Sequence, residues 1–121
     1  MRILVTGGGG FLGSALCRRL AARGDTVIAF DTIFGGDITN PESISEAMRS
    51  HRPDAVIHCA AVVSVLSSLA SPRDTIRVNI EGSLNLFEAM RQLEVRRVIH
   101  ISSQETYGEF RAPVIDEEHP L

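Results

Sequence analysis

The chain has 121 residues, of which 44% are apolar, and a net charge of −3 at neutral pH. These values fit one small domain with a hydrophobic core, and they exclude a general electrostatic attraction to nucleic acids or anionic membranes. The sequence predicts neither a signal peptide nor a membrane helix, which needs roughly 20 apolar residues. Cys17 and Cys59 lack the spacing of metal ligands, so we expect a reduced, cytoplasmic protein without a metal site.

Strand and helix patterns alternate along the first half of the chain. Residues 3–6 are predicted to form a short buried strand, and apolar residues then repeat at helical spacing over 12–20. Gly24 is placed to end that helix in a left-handed conformation. A second buried strand is predicted at 26–31, and Asn40, followed by a proline, predicts the start of the second helix.

The second half of the chain continues this alternation. A third strand is predicted at 54–58, a loop or short helix at 60–70, and a fourth strand at 98–101. A long helix is predicted to start at Ser71, before the fourth strand. Four apolar residues at helical spacing are predicted to form its inward face: Ile76, Ile80, Leu84 and Phe87.

Strands that alternate with helices predict a parallel sheet covered on both faces. The strands are continuously apolar, as expected of strands buried on both sides. Such sheets bind their ligands beyond the carboxyl ends of the strands. Four segments follow predicted strand ends and are therefore candidates for a site: Gly7–Gly13, Asp31, His58–Ala61 and Ser102–Ser103.

Gly7, Gly10 and Gly13 form the pattern G-x-x-G-x-x-G between a strand and a helix. Such glycines permit a tight turn, a close approach of a pyrophosphate and close packing of the helix. The alternative is a flexible turn without a ligand, but the flanking strand and helix favour nucleotide binding. Asp31 ends the second strand and suits the adenosine ribose hydroxyls of NAD, while repelling the 2′-phosphate of NADP. Its alternative is a solvated aspartate at a strand end.

The remaining polar candidates are less specific. Asp37 has a strong alternative as a turn residue near a helix start, and we interpret His58 as structural because a lone strand-end histidine seldom catalyses. Ser102 and Ser103 fit two roles equally on spacing: a hydrogen bond to substrate or nicotinamide, or a pair of turn serines. No nearby base would activate a serine, so a hydrolase triad is disfavoured.

Four segments together resemble the extended short-chain dehydrogenase/reductase family, namely its NAD-dependent epimerases and dehydratases acting on nucleotide sugars. T-G-G-G-G-F-L-G at 6–13 is similar to the family's T-G-x-x-G-F-x-G, and V-I-H-C-A-A at 56–61 is similar to V-I-H-x-A-A. The segment 78–89 resembles N-V-x-G-T-x-N-L-L-E-A, and 101–108 resembles S-S-x-x-V-Y-G. The resemblance implies a Rossmann-type fold with about four parallel strands in the order 3-2-1-4, and NAD as the cofactor.

The resemblance also implies roles for single residues. Five of them would surround the pyrophosphate: Gly7, Gly10, Phe11, Leu12 and Gly13. Asp31 would hold the adenosine ribose, with Asp37 and Ile38 flanking the adenine; the short segment between the two aspartates departs from many relatives. On the nicotinamide side the cofactor residues would be Ala60, Ala61, Asn79 and Ser102. Ser103 would match the catalytic serine of the family.

The family's acid–base pair, Tyr-x-x-x-Lys, is not found in these 121 residues, which contain a single tyrosine, Tyr107, and no lysine. We therefore expect residues 1–121 to be the N-terminal, cofactor-binding part of an epimerase or dehydratase, with the later strands, catalytic helix and substrate region absent. Alone it would bind NAD weakly and be inactive. One alternative is a non-catalytic NAD-binding or interaction module that oligomerises through an exposed edge of the fourth strand. Another is an atypical NADP-dependent reductase.

Overall fold

The computed structural model describes residues 1–120, and four parallel strands form its sheet. The strands are β1 Arg2–Thr6, β2 Thr26–Phe30, β3 Ala55–His58 and β4 Val98–His100. The α-helices are α1 Phe11–Ala22, α2 Pro41–His51, α3 Val65–Ala70, α4 Pro72–Ile76 and α5 Gly82–Gln92. Shorter helical segments are the 3-10 turns Thr32–Phe34 and Gln104–Tyr107 and the π-helical Arg77–Glu81. The predicted Rossmann-type fold, a parallel sheet between helices, is confirmed.

The order of the strands is β2-β1-β3-β4, so the predicted order 3-2-1-4 is wrong. The segment between β2 and α2 forms a 3-10 turn at Thr32–Phe34 instead of another strand beside β2. The chain then crosses over β1, and β3 pairs with β1 on its other side, with Ile3 opposite Ala55. This reversal of direction lies at the carboxyl ends of β1 and β3, where open α/β sheets bind their ligands.

Two hydrophobic clusters lie on the two faces of the sheet, because right-handed crossovers of opposite direction place their helices on opposite sides. The larger cluster packs α2 and α5 against the sheet, and Leu4, Ile44 and Leu86 are fully buried in it. The smaller cluster packs α1 against the sheet around Val5 and Leu20. The burial of neighbouring β1 residues on both faces explains why the strands are continuous apolar runs in the sequence.

The predicted helix boundaries at Gly24 and Asn40 are confirmed. Gly24 follows α1 with a φ of 91°, a left-handed conformation that glycine adopts without steric cost. The side chain of Asn40 accepts hydrogen bonds from the backbone amides of Glu42 and Ser43, so it caps α2. In the part of the chain described, no helix is long and apolar enough to cross a membrane.

The predicted inward face of the long helix is wrong. Its four residues are between 39% and 61% exposed: Ile76, Ile80, Leu84 and Phe87. The helix is divided into α4, a π-helical turn and α5, and a different stripe of α5 is buried: Gly82, Ser83, Leu86, Ala89 and Met90. The reason is that α5 is apolar on more than one face, and the face that carries Gly82 packs closely against Ile38 of the larger cluster. A Cβ on Gly82 would lie 2.8 Å from Cγ2 of Ile38.

Candidate functional site

The turn between β1 and α1 requires glycine at its two ends. Gly7 has a φ of 68°, and a Cβ on it would lie 2.8 Å from both the backbone carbonyl carbon of Cys59 and the backbone nitrogen of Ala60. A Cβ on Gly13 would lie 2.0 Å from the carbonyl oxygen of Gly7. The end of β1 therefore lies directly against the end of β3, and α1 lies directly against the turn. This close backbone packing is the arrangement that the glycine pattern predicts.

The N-terminus of α1 has no cap of its own. Gly10 occupies the N-cap position, no side chain of residues 1–120 caps the first-turn amides, and the first turn contains no acidic residue. Uncapped amides and the helix dipole make such an end suitable for an anion such as a pyrophosphate. Phe11 is fully exposed and Leu12 is 43% exposed at this end, so their side chains are not packed into the core.

Asp31 joins the glycine turn to the end of β2. One carboxylate oxygen accepts a hydrogen bond from the amide of Gly9 at 3.1 Å. The other accepts from the amide of Ile33 at 3.2 Å and from the Thr32 hydroxyl at 3.3 Å. A carboxylate has about four acceptor sites, so Asp31 is held in place with capacity left for a ligand hydroxyl.

A cleft of about 320 Å³ opens beside this turn. Seven predicted site residues line it: Gly7, Gly10, Asp31, Asp37, Ile38, Ala60 and Ala61. The sequence did not single out five other lining residues: Phe30, Thr32, Gly36, Thr39 and Val78. Asp37 uses one carboxylate oxygen to accept from the amide and hydroxyl of Thr39, at 2.8 and 2.7 Å, as a turn aspartate does. Ile38 is only 6% exposed and belongs mainly to the core.

A second cleft of about 420 Å³ lies toward β4. It contains the other predicted residues of the nicotinamide side, together with the two shared alanines: Ala60, Ala61, Asn79, Ser102 and Ser103. It also contains residues that the sequence did not indicate: Val62, Val63, Ser83, His100, Ile101 and Thr106. Both clefts are lined by Cys59–Ala61. The two clefts therefore lie side by side along the carboxyl ends of the four strands, and we refer to them together as the groove.

Two predicted polar residues in the second cleft already have structural partners. The side-chain oxygen of Asn79 accepts from the amide of Val62 at 2.7 Å, and its nitrogen donates to the carbonyl of Val62 at 3.0 Å. Asn79 thus fixes the segment after β3. The hydroxyl of Ser103 accepts from the amide of Glu105 at 3.2 Å, at the start of the 3-10 turn. Ser103 is exposed, and its catalytic role stays a prediction.

His58, at the end of β3, is buried in a chain of hydrogen bonds. Its Nδ1 lies 2.6 Å from the hydroxyl of Thr6, and its Nε2 lies 2.9 Å from the hydroxyl of Ser83. Burial lowers the pKa of His58 to about 4, and the neighbouring His100 adds a smaller effect in the same direction. The imidazole is therefore neutral at neutral pH. Sequence reasoning missed Thr6 and Ser83; a hydroxyl in an otherwise apolar strand end and helix face was the available signal.

The sequence model described as the NAD dependent epimerase/dehydratase family matches residues 3–121. A UDP-glucose 4-epimerase of Klebsiella pneumoniae is 34% identical over 130 residues, covering 90% of this chain and 94% of that relative. A UDP-glucose 4-epimerase of Lactobacillus helveticus is 31% identical, covering 100% of this chain and 41% of that relative.

The crystal structure of the Thermus thermophilus UDP-glucose 4-epimerase complex with NAD aligns with a TM-score of 0.90 and 36% identity. The alignment covers 99% of this chain and 44% of that structure. The chain therefore spans less than half the length of the Lactobacillus and Thermus relatives. The predicted family is confirmed, and with it NAD as the cofactor that characterises the family. The chain belongs to the NAD-dependent epimerase/dehydratase family.

Proposed function

We propose that this chain is the NAD-binding part of a nucleotide-sugar epimerase, of the kind that interconverts UDP-linked hexoses. The observation that carries this proposal is the groove of two adjoining clefts at the carboxyl ends of the sheet, bordered by an uncapped helix start and by the carboxylate of Asp31. The UDP-glucose 4-epimerases among its relatives support the substrate class. A cytoplasmic location remains a prediction, and the free thiols of Cys17 and Cys59 are compatible with it.

The residues present fit NAD. The turn would lose its shape if Gly7 or Gly13 carried a Cβ, and it leaves the first-turn amides of α1 available for the pyrophosphate. Asp31 would accept hydrogen bonds from the adenosine ribose hydroxyls and disfavour a 2′-phosphate. The segment from Ala60 to Val62 would form the wall of the nicotinamide half. When bound, NAD supplies the acceptor for a hydride from the sugar.

The residue proposed to act on the sugar is Ser103, whose hydroxyl would hydrogen-bond the reacting sugar oxygen. Tyr107 and the arginines do not provide the Tyr-x-x-x-Lys pair, so we propose that residues 1–121 bind NAD without turning over a nucleotide sugar. A coupled assay of UDP-glucose and UDP-galactose interconversion with the purified chain tests this directly. Turnover above that of a heat-denatured sample would overturn the proposal of inactivity.

Calorimetric titration with NAD and NADP tests the cofactor. We expect NAD to bind at least about tenfold more tightly than NADP, since a carboxylate facing a 2′-phosphate costs over ~1 kcal/mol. Asp31→Asn should weaken NAD and reduce the difference between the cofactors, whereas Asp54→Asn, at the opposite end of the sheet, should change neither. Tighter binding of NADP would instead favour the NADP-dependent reductase.

A second candidate function is an interaction module that assembles through β4. This strand lies at the edge of the sheet, and its Val98 and Ile99 are 42% and 60% exposed. An apolar edge strand is a template for pairing with another chain. Sedimentation velocity at micromolar concentrations distinguishes the two: a dimer weakened by Ile99→Lys supports assembly through β4, and a clean monomer rejects it.

A further inference from the structure

We propose that His58 is a positioning residue for the cofactor: its neutral imidazole, with the proton on Nε2, holds the segment Ala60–Val62 in the shape that the nicotinamide half requires. The inference rests on the proposed NAD site. It concerns the wall shared by the two clefts, which Ala60 and Ala61 form. His58 does not line either cleft, so it acts through its neighbours.

The directions of the hydrogen bonds follow from one fixed acceptor. The backbone carbonyl oxygen of Asn79 can only accept, and the hydroxyl of Ser83 lies 2.7 Å from it, so Ser83 donates its proton there. The Ser83 oxygen then accepts from Nε2–H of His58, at 2.9 Å. This leaves Nδ1 of His58 without a proton, as the acceptor for the Thr6 hydroxyl at 2.6 Å. The oxygen of Thr6 in turn accepts from the amide of Ala60 at 3.3 Å.

The two ends of this series of hydrogen bonds hold the two ends of one backbone segment, Ala60–Val62. Thr6 accepts from the amide of Ala60. The backbone carbonyl of Asn79 accepts from Ser83, and the side-chain amide of the same residue binds both the amide and the carbonyl of Val62. These hydrogen bonds connect three elements of the fold: β1, β3 and the helical stretch that includes α5. The segment is therefore fixed by side chains that lie behind it, while its exposed surface remains free for a ligand.

Only a neutral imidazole satisfies this chain, because it offers one donor and one acceptor at opposite sides of the ring. Protonated His58 would donate at both nitrogens, and the Thr6 hydroxyl would have to turn away. The groups that face the ring are His100 from β4, with ring centroids 5.1 Å apart, and Phe87 from α5 at 6.2 Å. His100 is the titratable group among them and lowers the pKa of His58 further, and Thr6 and Ser83 supply the polar contacts from β1 and α5.

Thr6→Val tests the proposal, because it removes the hydroxyl at nearly constant volume, while Thr6→Ser retains the hydroxyl. AMP serves as the probe for the adenosine side, and NAD reports both sides. We expect Thr6→Val to weaken NAD by about three- to tenfold, the value of one hydrogen bond, and to weaken AMP less, because Ala60 and Ala61 line the first cleft as well as the second. Thr6→Ser should restore NAD affinity. Thr26→Val, an exposed site on β2, is the matched control.

Nitrogen-15 spectra of the imidazole add a readout that depends on no ligand. We expect His58 to show the neutral Nε2–H form at pH 7, and Thr6→Val to accelerate hydrogen exchange at the amide of Ala60 relative to Thr26→Val. A proton on Nδ1, unchanged exchange at Ala60, or equal losses of NAD and AMP affinity would each overturn the positioning role. If the wild type binds neither nucleotide, the proposed function fails, and the tautomer and exchange rates alone decide the positioning role.

Discussion

The two halves of the groove are built by opposite means. The half proposed to bind adenosine is shaped by missing side chains, since Gly7 and Gly13 let backbone lie against backbone. The half proposed to bind nicotinamide is shaped by buried side chains, with Thr6, His58 and Ser83 hydrogen-bonded in series. The first half should therefore fail when atoms are added to its glycines or when Asp31 is replaced by asparagine. The second half should fail when a hydroxyl is removed or a proton is added.

Gly13→Ala should have the largest effect on stability. Its Cβ would lie 2.0 Å from the carbonyl oxygen of Gly7, a backbone atom that cannot move without displacing the end of β1. We expect the free energy of unfolding to fall by about 3 kcal/mol and NAD binding to be lost. Urea denaturation and calorimetry measure the two effects.

Gly24→Ala is the control for this substitution. Gly24 also has a positive φ, of 91°, but a Cβ there would meet no atom of residues 1–120 within 4 Å. It should cost only about 1 kcal/mol, from backbone strain, and leave NAD affinity unchanged. If the two variants are equally destabilised, the close packing at Gly13 is not what the turn depends on.

The turn of the first half could be predicted from sequence because glycines at regular spacing carry their geometric meaning locally. The helix limits at Gly24 and Asn40 were predictable for the same reason: each depends on a few adjacent residues. The order of the strands could not be predicted from the sequence, because it depends on the side of β1 on which β3 pairs after the crossover. That choice is decided by pairing between residues such as Ile3 and Ala55, far apart in sequence.

The hydrogen-bond chain of the second half was not predictable either. His58 was correctly interpreted as structural, but its partners Thr6 and Ser83 are separated from it by 52 and 25 positions. The buried face of α5 was missed because periodicity cannot choose between two apolar stripes. Leu84 and Leu86 are both apolar, and only contact with the sheet shows that Leu86 is buried and Leu84 is exposed.

The second-largest effect should come from acid. Between pH 6.5 and 4 the free energy of unfolding should fall by up to about 3 kcal/mol, because of a proton taken up in the second half of the groove. The pKa of His58 falls from 6.5 to about 4 on folding, so the unfolded state binds the proton in this window and the folded state does not. Stability is therefore complete above pH 6.5 and declines as the pH falls. Urea denaturation at a series of pH values measures the slope.

Two features separate this effect from other titrations. The carboxylates whose pKa is lowered by arginine or N-terminal partners, Asp25 and Glu88, act at lower pH, since their unperturbed values are 3.8 and 4.5. His51→Gln removes an exposed histidine and should leave the slope unchanged, whereas His58→Gln should flatten it. Constant stability of the wild type between pH 6.5 and 5 would show that His58 is not kept neutral by folding.

Ser83→Ala should reduce the free energy of unfolding by less than acid does. The substitution leaves Nε2–H of His58 buried without its acceptor. An unsatisfied buried donor costs about 2 kcal/mol. NAD affinity should fall with this loss and AMP affinity should fall less, as for Thr6→Val. Ser50→Ala, which removes an exposed hydroxyl from α2, is the matched control. An equal loss of AMP affinity would mean that the two halves of the groove are not independent.

Gly10→Ser should have the smallest effect on stability and still weaken the ligand. Gly10 is extended, with φ −74° and ψ 178°, so serine can adopt its backbone conformation and cap α1 as Asn40 caps α2. Serine and glycine differ at this position by only about 0.3 kcal/mol, and the new Cβ would sit 3.2 Å from the Gly7 carbonyl oxygen. A serine hydroxyl would occupy the amides proposed for the pyrophosphate, so we expect NAD and AMP affinity to fall together. If both affinities survive in a variant shown by amide exchange to be capped, the phosphates do not bind at the start of α1.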